Sequence, residues 1–270
     1  MNPLFLIIPA IFGLAALLPP PPSRTFGSCP LPEKPLLGAI KKDSVLVDKN
    51  DDAYWKTGEM FLVVGASQSG KTYWVKEQIV SVERLLTWDI EQQYERGCIV
   101  VSDIPTLAKL VRKNERKLRI SYQPCRKDRQ KEFLEFCLIA FCFCEAGLTH
   151  RNADKTPVKT CVVVEELASV TTCGKAPTEW GDLVRMGLKR NMWLYAVTQR
   201  PVEIDKTTVG NCSQIHCCGV QTPDDAERMR KYMGLTYDNI FNLVREDKQF
   251  IHKNCINGSI SVGGIRPPVL

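Results

Sequence analysis

From about residue 58 onward, short apolar runs alternate with longer stretches in which apolar residues recur at helical spacing. The runs FLVV (61–64), RLLTWD (84–89), GCIVVS (97–102), KLRISY (117–122), TCVVVE (160–165), WLYAVT (193–198), QIHCCGV (214–220) and QFIHK (249–253) each predict a strand. Between them the pattern predicts helices over residues 71–82, 104–112, 128–146, 177–190 and 223–233. In the second, Ile104, Leu107, Ala108 and Val111 fall at helical spacing, and Asp128 is placed to cap the third. Strands alternating with helices predict a mostly parallel sheet covered on both faces, an α/β fold. No internal repeat is visible.

The first strand runs into a loop of special composition. Gly65, Ala66, Ser67, Gln68, Ser69 and Gly70 are followed by Lys71 and Thr72, which open the first helix. This is a complete G-x-x-x-x-G-K-[ST] pattern in its strand–loop–helix context. Successive backbone N–H groups in such a loop form a concave anion site, and the positive end of the helix dipole points into it. The pattern predicts that residues 65–72 bind ATP and Mg2+. Lys71 would reach the β- and γ-phosphates, and the Thr72 hydroxyl would ligate the metal.

A nucleotide hydrolase needs a carboxylate near magnesium and usually a second one to activate water. Both are expected at the end of a strand beside the phosphate loop. Glu165 and Glu166 leave the run CVVV at the carboxyl edge of the sheet, where ligands bind in open α/β folds. Glu165 is the candidate magnesium-supporting carboxylate and Glu166 the candidate general base. Glutamate at the first position, where aspartate is commoner, lengthens the side chain there. The strand WLYAVT ends in Thr198-Gln199-Arg200-Pro201. Gln199 is placed either to contact the γ-phosphate or the attacking water, or simply to leave the strand before Pro201. Arg185, Lys189 and Arg190 cluster at a predicted helix end, where cations suit the dipole. The functional alternative is an arginine supplied to a neighbouring subunit's nucleotide, with Arg190 as the candidate.

Composition narrows the class. A chain of 270 residues suits one sizeable α/β domain with appendages, or two small domains, and its 44% apolar content is ordinary for a globular core. The net charge of +6, from 36 Lys and Arg against 30 Asp and Glu, permits an anionic partner such as nucleic acid without demanding one. Basic stretches at residues 112–119, 126–131 and 185–190 are as expected of a solvated surface as of a DNA contact. Twelve cysteines stand mostly in apolar runs. With no C-x-x-C pair and three histidines, they argue against a zinc site and for a reducing compartment.

The N-terminal region reads differently. Residues 3–18 are apolar and uncharged, four prolines follow at 19–22, and Arg24, Lys34, Lys41 and Lys42 come after. The run is at the short limit of the roughly 17–25 residues that a spanning helix needs. No basic region precedes it and no small-residue cleavage site is clear, which disfavours a signal peptide. We expect a membrane-anchoring apolar helix over residues 1–23, with the bulk of the chain on the cytoplasmic side. A proline-rich linker with an edge-strand candidate (SVLVD) spans 24–57, the ATPase domain 58–255 and a C-terminal tail 256–270. The nine-residue run FCLIAFCFC (136–144) ends at Glu145 and reads as a packed helix face.

Taken in order, GASQSGKT, RLLTWD with Glu91 and Tyr94 after it, LRISYQP, VVVEEL, GLKRN-WLYAVTQRP and QIHCCGVQTPDD resemble the FtsK–HerA superfamily of DNA-pumping P-loop ATPases. The resemblance covers about residues 58–233, and its flavour is that of the compact genome-packaging ATPases of tailless, membrane-containing viruses. It implies a RecA-like P-loop NTPase core and a homo-hexameric ring. It further implies sequence-independent translocation of double-stranded DNA through a central pore, and capsid or portal-vertex proteins as partners. By the same resemblance Lys71 and Thr72 bind nucleotide and magnesium, Glu165 and Glu166 form the Walker B pair, Gln199 is the sensor and Arg190 the trans arginine. The alternative is an inner-membrane, zonula-occludens-toxin-like ATPase that drives filamentous phage extrusion. A non-enzymatic nucleotide-gated scaffold would have no need for the acidic pair.

The anchor reading has a direct test. Deleting residues 1–23 is expected to move the protein from the membrane pellet to the soluble fraction on ultracentrifugation; unchanged pelleting would refute it.

Overall fold

Apolar runs flanked by polar turns become strands that are buried on both faces. The computed structural model describes residues 58–268, in which nine strands form a single sheet. In chain order the elements are β1 (Glu59–Val64), α1 (Lys71–Ile79), β2 (Arg84–Trp88), β3 (Ile99–Val101), α2 (Ile104–Lys113), β4 (Leu118–Tyr122) and α3 (Arg129–Gly147). They continue with β5 (Thr160–Val164), α4 (Thr178–Gly187), β6 (Met192–Thr198), α5 (Lys206–Gly210), β7 (Gln214–Cys218), α6 (Pro223–Met233), α7 (Tyr237–Phe241), β8 (Phe250–Asn254) and β9 (Ile260–Gly263). The segments expected at residues 1–23 and 24–57, including the anchor helix and the edge-strand candidate, lie outside the described residues. Among the described residues no helix is long and apolar enough to cross a membrane.

The strand order is β3-β4-β2-β5-β6-β1-β7-β8-β9. β1 to β7 pair in parallel, and β8 and β9 add antiparallel at one edge. The strand carrying the acidic pair, β5, stands one removed from β1, because β6 lies between them. At about 4.8 Å per strand, the two are roughly 10 Å apart.

Alternate residues of each strand point to opposite faces. Met60, Leu62, Val64, Val162, Val164, Leu194 and Ala196 join the larger core, which α2, α3, α4 and α6 cover. Phe61, Val63, Val163, Tyr195 and Val197 face the other way and meet Val75 and Ile79 of α1. The run 136–144 packs as a helix face, with Phe136, Cys137, Ala140, Phe143 and Cys144 buried. Asp128 caps α3 by accepting from the Lys131 amide at 3.1 Å.

Three differences from the sequence pattern bear on the site. The helix expected over 177–190 is α4 followed by a tight turn at Leu188–Arg190, closed by Asn191 in the left-handed conformation. The short helices α5 and α7 were not anticipated. The segment expected as a tail beyond Cys255 supplies β9, paired with β8.

Trp180 of α4 ties this layer together. It is fully buried against Phe133, and its indole N–H donates to Thr208 Oγ1 at 2.8 Å and Asp205 Oδ2 at 3.1 Å. Trp180→Ala is expected to lower unfolding stability by about 3–5 kcal/mol in a denaturant titration; a loss below 1 kcal/mol would contradict this packing.

Candidate active site

The carboxyl ends of β1, β5, β6 and β7 converge, and the loops leaving them build one site. The Gly65 amide donates to Thr198 O at 3.3 Å and the Ala66 amide to Gly219 O at 2.8 Å, so the phosphate loop is stitched to the ends of both neighbouring strands. Side-chain atoms crowd its start: a Cβ at Gly65 would lie 2.5 Å from Ser69 Oγ and 2.7 Å from Cys218 Cβ. Gly70 caps α1 with φ 106, a conformation that favours glycine. It offers no side-chain cap, so the first-turn amides of α1 are left for an anion. Ser67 and Gln68 are exposed at the apex, while Ala66, Ser69 and Lys71 are buried.

Lys71 folds back on its own loop, donating from Nζ to Ala66 O at 3.0 Å. Burial holds its pKa below the ordinary lysine value, against the opposing charges of Glu165 and Glu166. The Thr72 hydroxyl donates to Glu165 Oε1 at 2.9 Å. This contact spans the gap left by β6, so the acidic pair reaches the loop although its strand is one removed. Hydroxyl and carboxylate are a hard-oxygen donor pair, the chemistry that suits magnesium.

Glu165 is 3% exposed. Burial raises its pKa to about 7, against the donors Thr72 and Tyr94 and the Lys71 charge. Its second oxygen accepts from the Tyr94 hydroxyl at 3.1 Å. Tyr94 is set by Asp89, which is fully buried at the end of β2. Asp89 accepts from the Tyr94 amide at 2.9 Å, the Gln93 amide at 2.7 Å and the Ser121 hydroxyl at 2.7 Å. In the sequence Tyr94 stands out only through the family resemblance, which gives it no role. The available signal was its place five residues past an aspartate that ends a strand.

Glu166 follows in the left-handed conformation, φ 51. Its Oε1 accepts from the Gln199 amide at 3.5 Å, and burial raises its pKa. Glu166 and Gln199 are therefore neighbours at the tips of β5 and β6. The turn after Gln199 is pinned by Arg200, whose guanidinium lies 3.4 Å from the buried carboxylate of Asp225.

Arg190 is not brought to this cluster. It precedes β6, at the opposite end of a seven-residue strand from Gln199, roughly 20 Å away. Its guanidinium bonds Glu145 at 3.3 Å and Met186 O at 3.0 Å and lies over the Phe141 ring. Several other basic residues singled out by their runs are also paired. Arg116 and Lys117 meet Glu83, Arg126 meets Glu135, and Arg185 meets Asp182.

No family model matches the chain. Protein P9 of Pseudoalteromonas phage PM2 is 34% identical over 192 residues, which cover 70% of this chain and 78% of P9. Among solved structures, the genome packaging NTPase B204 of Sulfolobus turreted icosahedral virus 2, in complex with AMP, matches with a TM-score of 0.61 at 13% identity. The match covers 80% of this chain and all of B204. The cytoplasmic domain of the type VII secretion ATPase EccC of Thermomonospora curvata matches with a TM-score of 0.50 at 10% identity, over 77% of this chain and 25% of that one. At such identities the two structures establish the fold, that of a P-loop NTPase.

Tyr94→Phe removes one of the two hydroxyls that hold Glu165 while keeping the ring. Losses of roughly 10–100-fold are typical when the partner of a metal-supporting carboxylate is removed. We expect nucleotide hydrolysis to fall about tenfold in a phosphate-release assay with the melting temperature shifted by only a few degrees; unchanged turnover would show that Tyr94 does not position Glu165.

Proposed function

The chain belongs to the family of protein P9 of Pseudoalteromonas phage PM2, and on that premise we propose that it is an ATP-driven motor that packages viral DNA into a membrane-containing capsid. The observation that carries this reading is the acidic pair: Glu165 bonded to Thr72 of the phosphate loop, with Glu166 beside the tip of the Gln199 strand. A site meant only to hold nucleotide has no need of a second, half-buried carboxylate at that place. The core order β7-β1-β6-β5-β2 supports a RecA-like arrangement, with one strand inserted between phosphate loop and acidic pair.

In this reading residues 65–72 cradle the phosphates and Lys71 exchanges the Ala66 carbonyl for phosphate oxygens. Thr72 and Glu165 would hold magnesium, which when bound supplies positive charge against the β- and γ-phosphates. Glu166 orients water and takes its proton. The raised pKa brings the carboxylate nearer the neutral range in which a general base works best. Gln199, bonded through its amide to Glu166, registers the change at the γ-phosphate and passes it to the Arg200–Asp225 contact. Arg190 lies far from its own site, as a residue that acts on a neighbouring subunit's nucleotide in a homo-hexameric ring would. The DNA is double-stranded and contacted without regard to sequence. The N-terminal apolar segment tethers the motor to a membrane beside the capsid's portal-vertex proteins.

ATP hydrolysis is expected to rise when double-stranded DNA is added and to vanish in Lys71→Ala. Glu166→Gln is expected to bind ATP with near wild-type affinity while its turnover drops about 100–10,000-fold, the range for loss of a general base. Hydrolysis indifferent to DNA would overturn the motor reading, and normal turnover in Glu166→Gln would remove the assigned base.

A further inference from the structure

A second lysine, from outside the phosphate-loop motif, touches that loop. Lys248 lies in the turn between α7 and β8, and its Nζ donates to the Gln68 carbonyl at 2.6 Å. Its stem runs along Gly70, where a Cβ would lie 3.5 Å from Lys248 Cδ. The residue is held at φ 52, a left-handed conformation that is unfavourable for a non-glycine residue. Such strain persists only where the surroundings enforce it.

Here the C-terminal segment enforces it. The Ile265 amide donates to Asp247 O at 2.6 Å, and the Gln249 side chain donates to Arg266 O at 2.6 Å. The Asp247 carboxylate is paired with the Arg266 guanidinium at 2.9 Å. That pairing engages the acidic residue next to Lys248, while the lysine itself rests on a neutral carbonyl. Lys71 rests on the Ala66 carbonyl in the same way. Two ammonium groups thus converge on one loop from opposite parts of the chain, both bonded to its backbone oxygens.

We infer that Lys248 is a second phosphate-binding cation of the nucleotide site, held on Gln68 O and transferring to a phosphate oxygen of the bound nucleotide. A phosphate oxygen adds the attraction of opposite charges to the hydrogen bond, which the neutral Gln68 carbonyl does not, so the exchange is favourable. Asp247 and Arg266 act as positioning residues that aim the lysine. This inference rests on the reading of residues 65–72 as the nucleotide site.

Equilibrium titration of the full-length protein with fluorescent mant-ATP and mant-AMP tests both levels separately. Lys248→Met is expected to weaken mant-ATP binding about tenfold and mant-AMP binding by less than threefold. The melting temperature should be unchanged, and Lys248→Arg should restore most of the loss. Arg266→Ala should weaken mant-ATP binding in the same direction, by a smaller factor. Equal mant-ATP affinity in wild type and Lys248→Met would overturn the inference while leaving the nucleotide site standing. So would a loss that is the same for both nucleotides and is not restored by arginine, which would mark a structural clamp. Failure of the wild type itself to bind mant-ATP better than Lys71→Ala would instead overturn the underlying reading.

Discussion

A carboxylate taken out of water must recover its hydration from the protein or keep its proton, and Glu165 stands between these two outcomes. Thr72 supplies one hydroxyl, Tyr94 a second, and Lys71 a positive charge nearby. Together they fall short of burial, so the pKa lies at about 7 instead of the ordinary 4.5. The sign follows directly. A folded value above the unfolded one means that the proton stabilises the ligand-free fold. That contribution is complete below about pH 4.5 and is lost as pH rises through about 7. Much of the local architecture serves this one group: the end of β5 buries it, α1 brings Thr72 to it, and Asp89 shapes the turn that delivers Tyr94.

The strand between β1 and β5 gives the arrangement its use. Were β5 the neighbour of β1, Glu166 would crowd the phosphate loop. With β6 inserted, Glu165 reaches across to Thr72 at 2.9 Å, and Glu166 meets the Gln199 amide at the tip of the inserted strand. The longer side chain of glutamate at position 165 suits a structure in which the carboxylate reaches Thr72 directly. The two tips are then coupled by the amide of Gln199 on Glu166, so a shift in one is felt in the other.

The parts legible in the sequence are those fixed by local physics. Strands buried on both faces must be apolar throughout, so residues 160–164 announced β5. An anion loop needs its glycines and its lysine at fixed spacing, so residues 65–72 announced themselves. The order of parallel strands is not written locally: crossover connections allow several orders, and none of the runs distinguishes a neighbour of β1 from a strand one removed. α5 is five residues long and is held by Asp205 and Trp180, partners that are distant from one another in sequence. β9 is largely exposed and has little apolar pattern to betray it. The role of Tyr94 depends on a turn made by two amide bonds to Asp89, and the position of Lys248 depends on Arg266. Such roles come from tertiary contacts and leave only a faint trace in composition.

The two faces of the sheet are unequal in a way that bears on how the site communicates. The larger core is shared by several helices, whereas the helix that faces the smaller core is α1, which starts at the phosphate loop. Any movement of that loop on phosphate binding is therefore transmitted into a single helix. Trp74, one turn into α1, stacks on His216 of β7 with ring centroids 4.0 Å apart, and β7 pairs with β8. The turn that enters β8 carries Lys248 back to Gln68. The loop is thus connected to the β8–β9 edge twice, through α1 and through Lys248. The β8–β9 hairpin is thus the part of the described chain that touches the loop both through a helix and through a side chain.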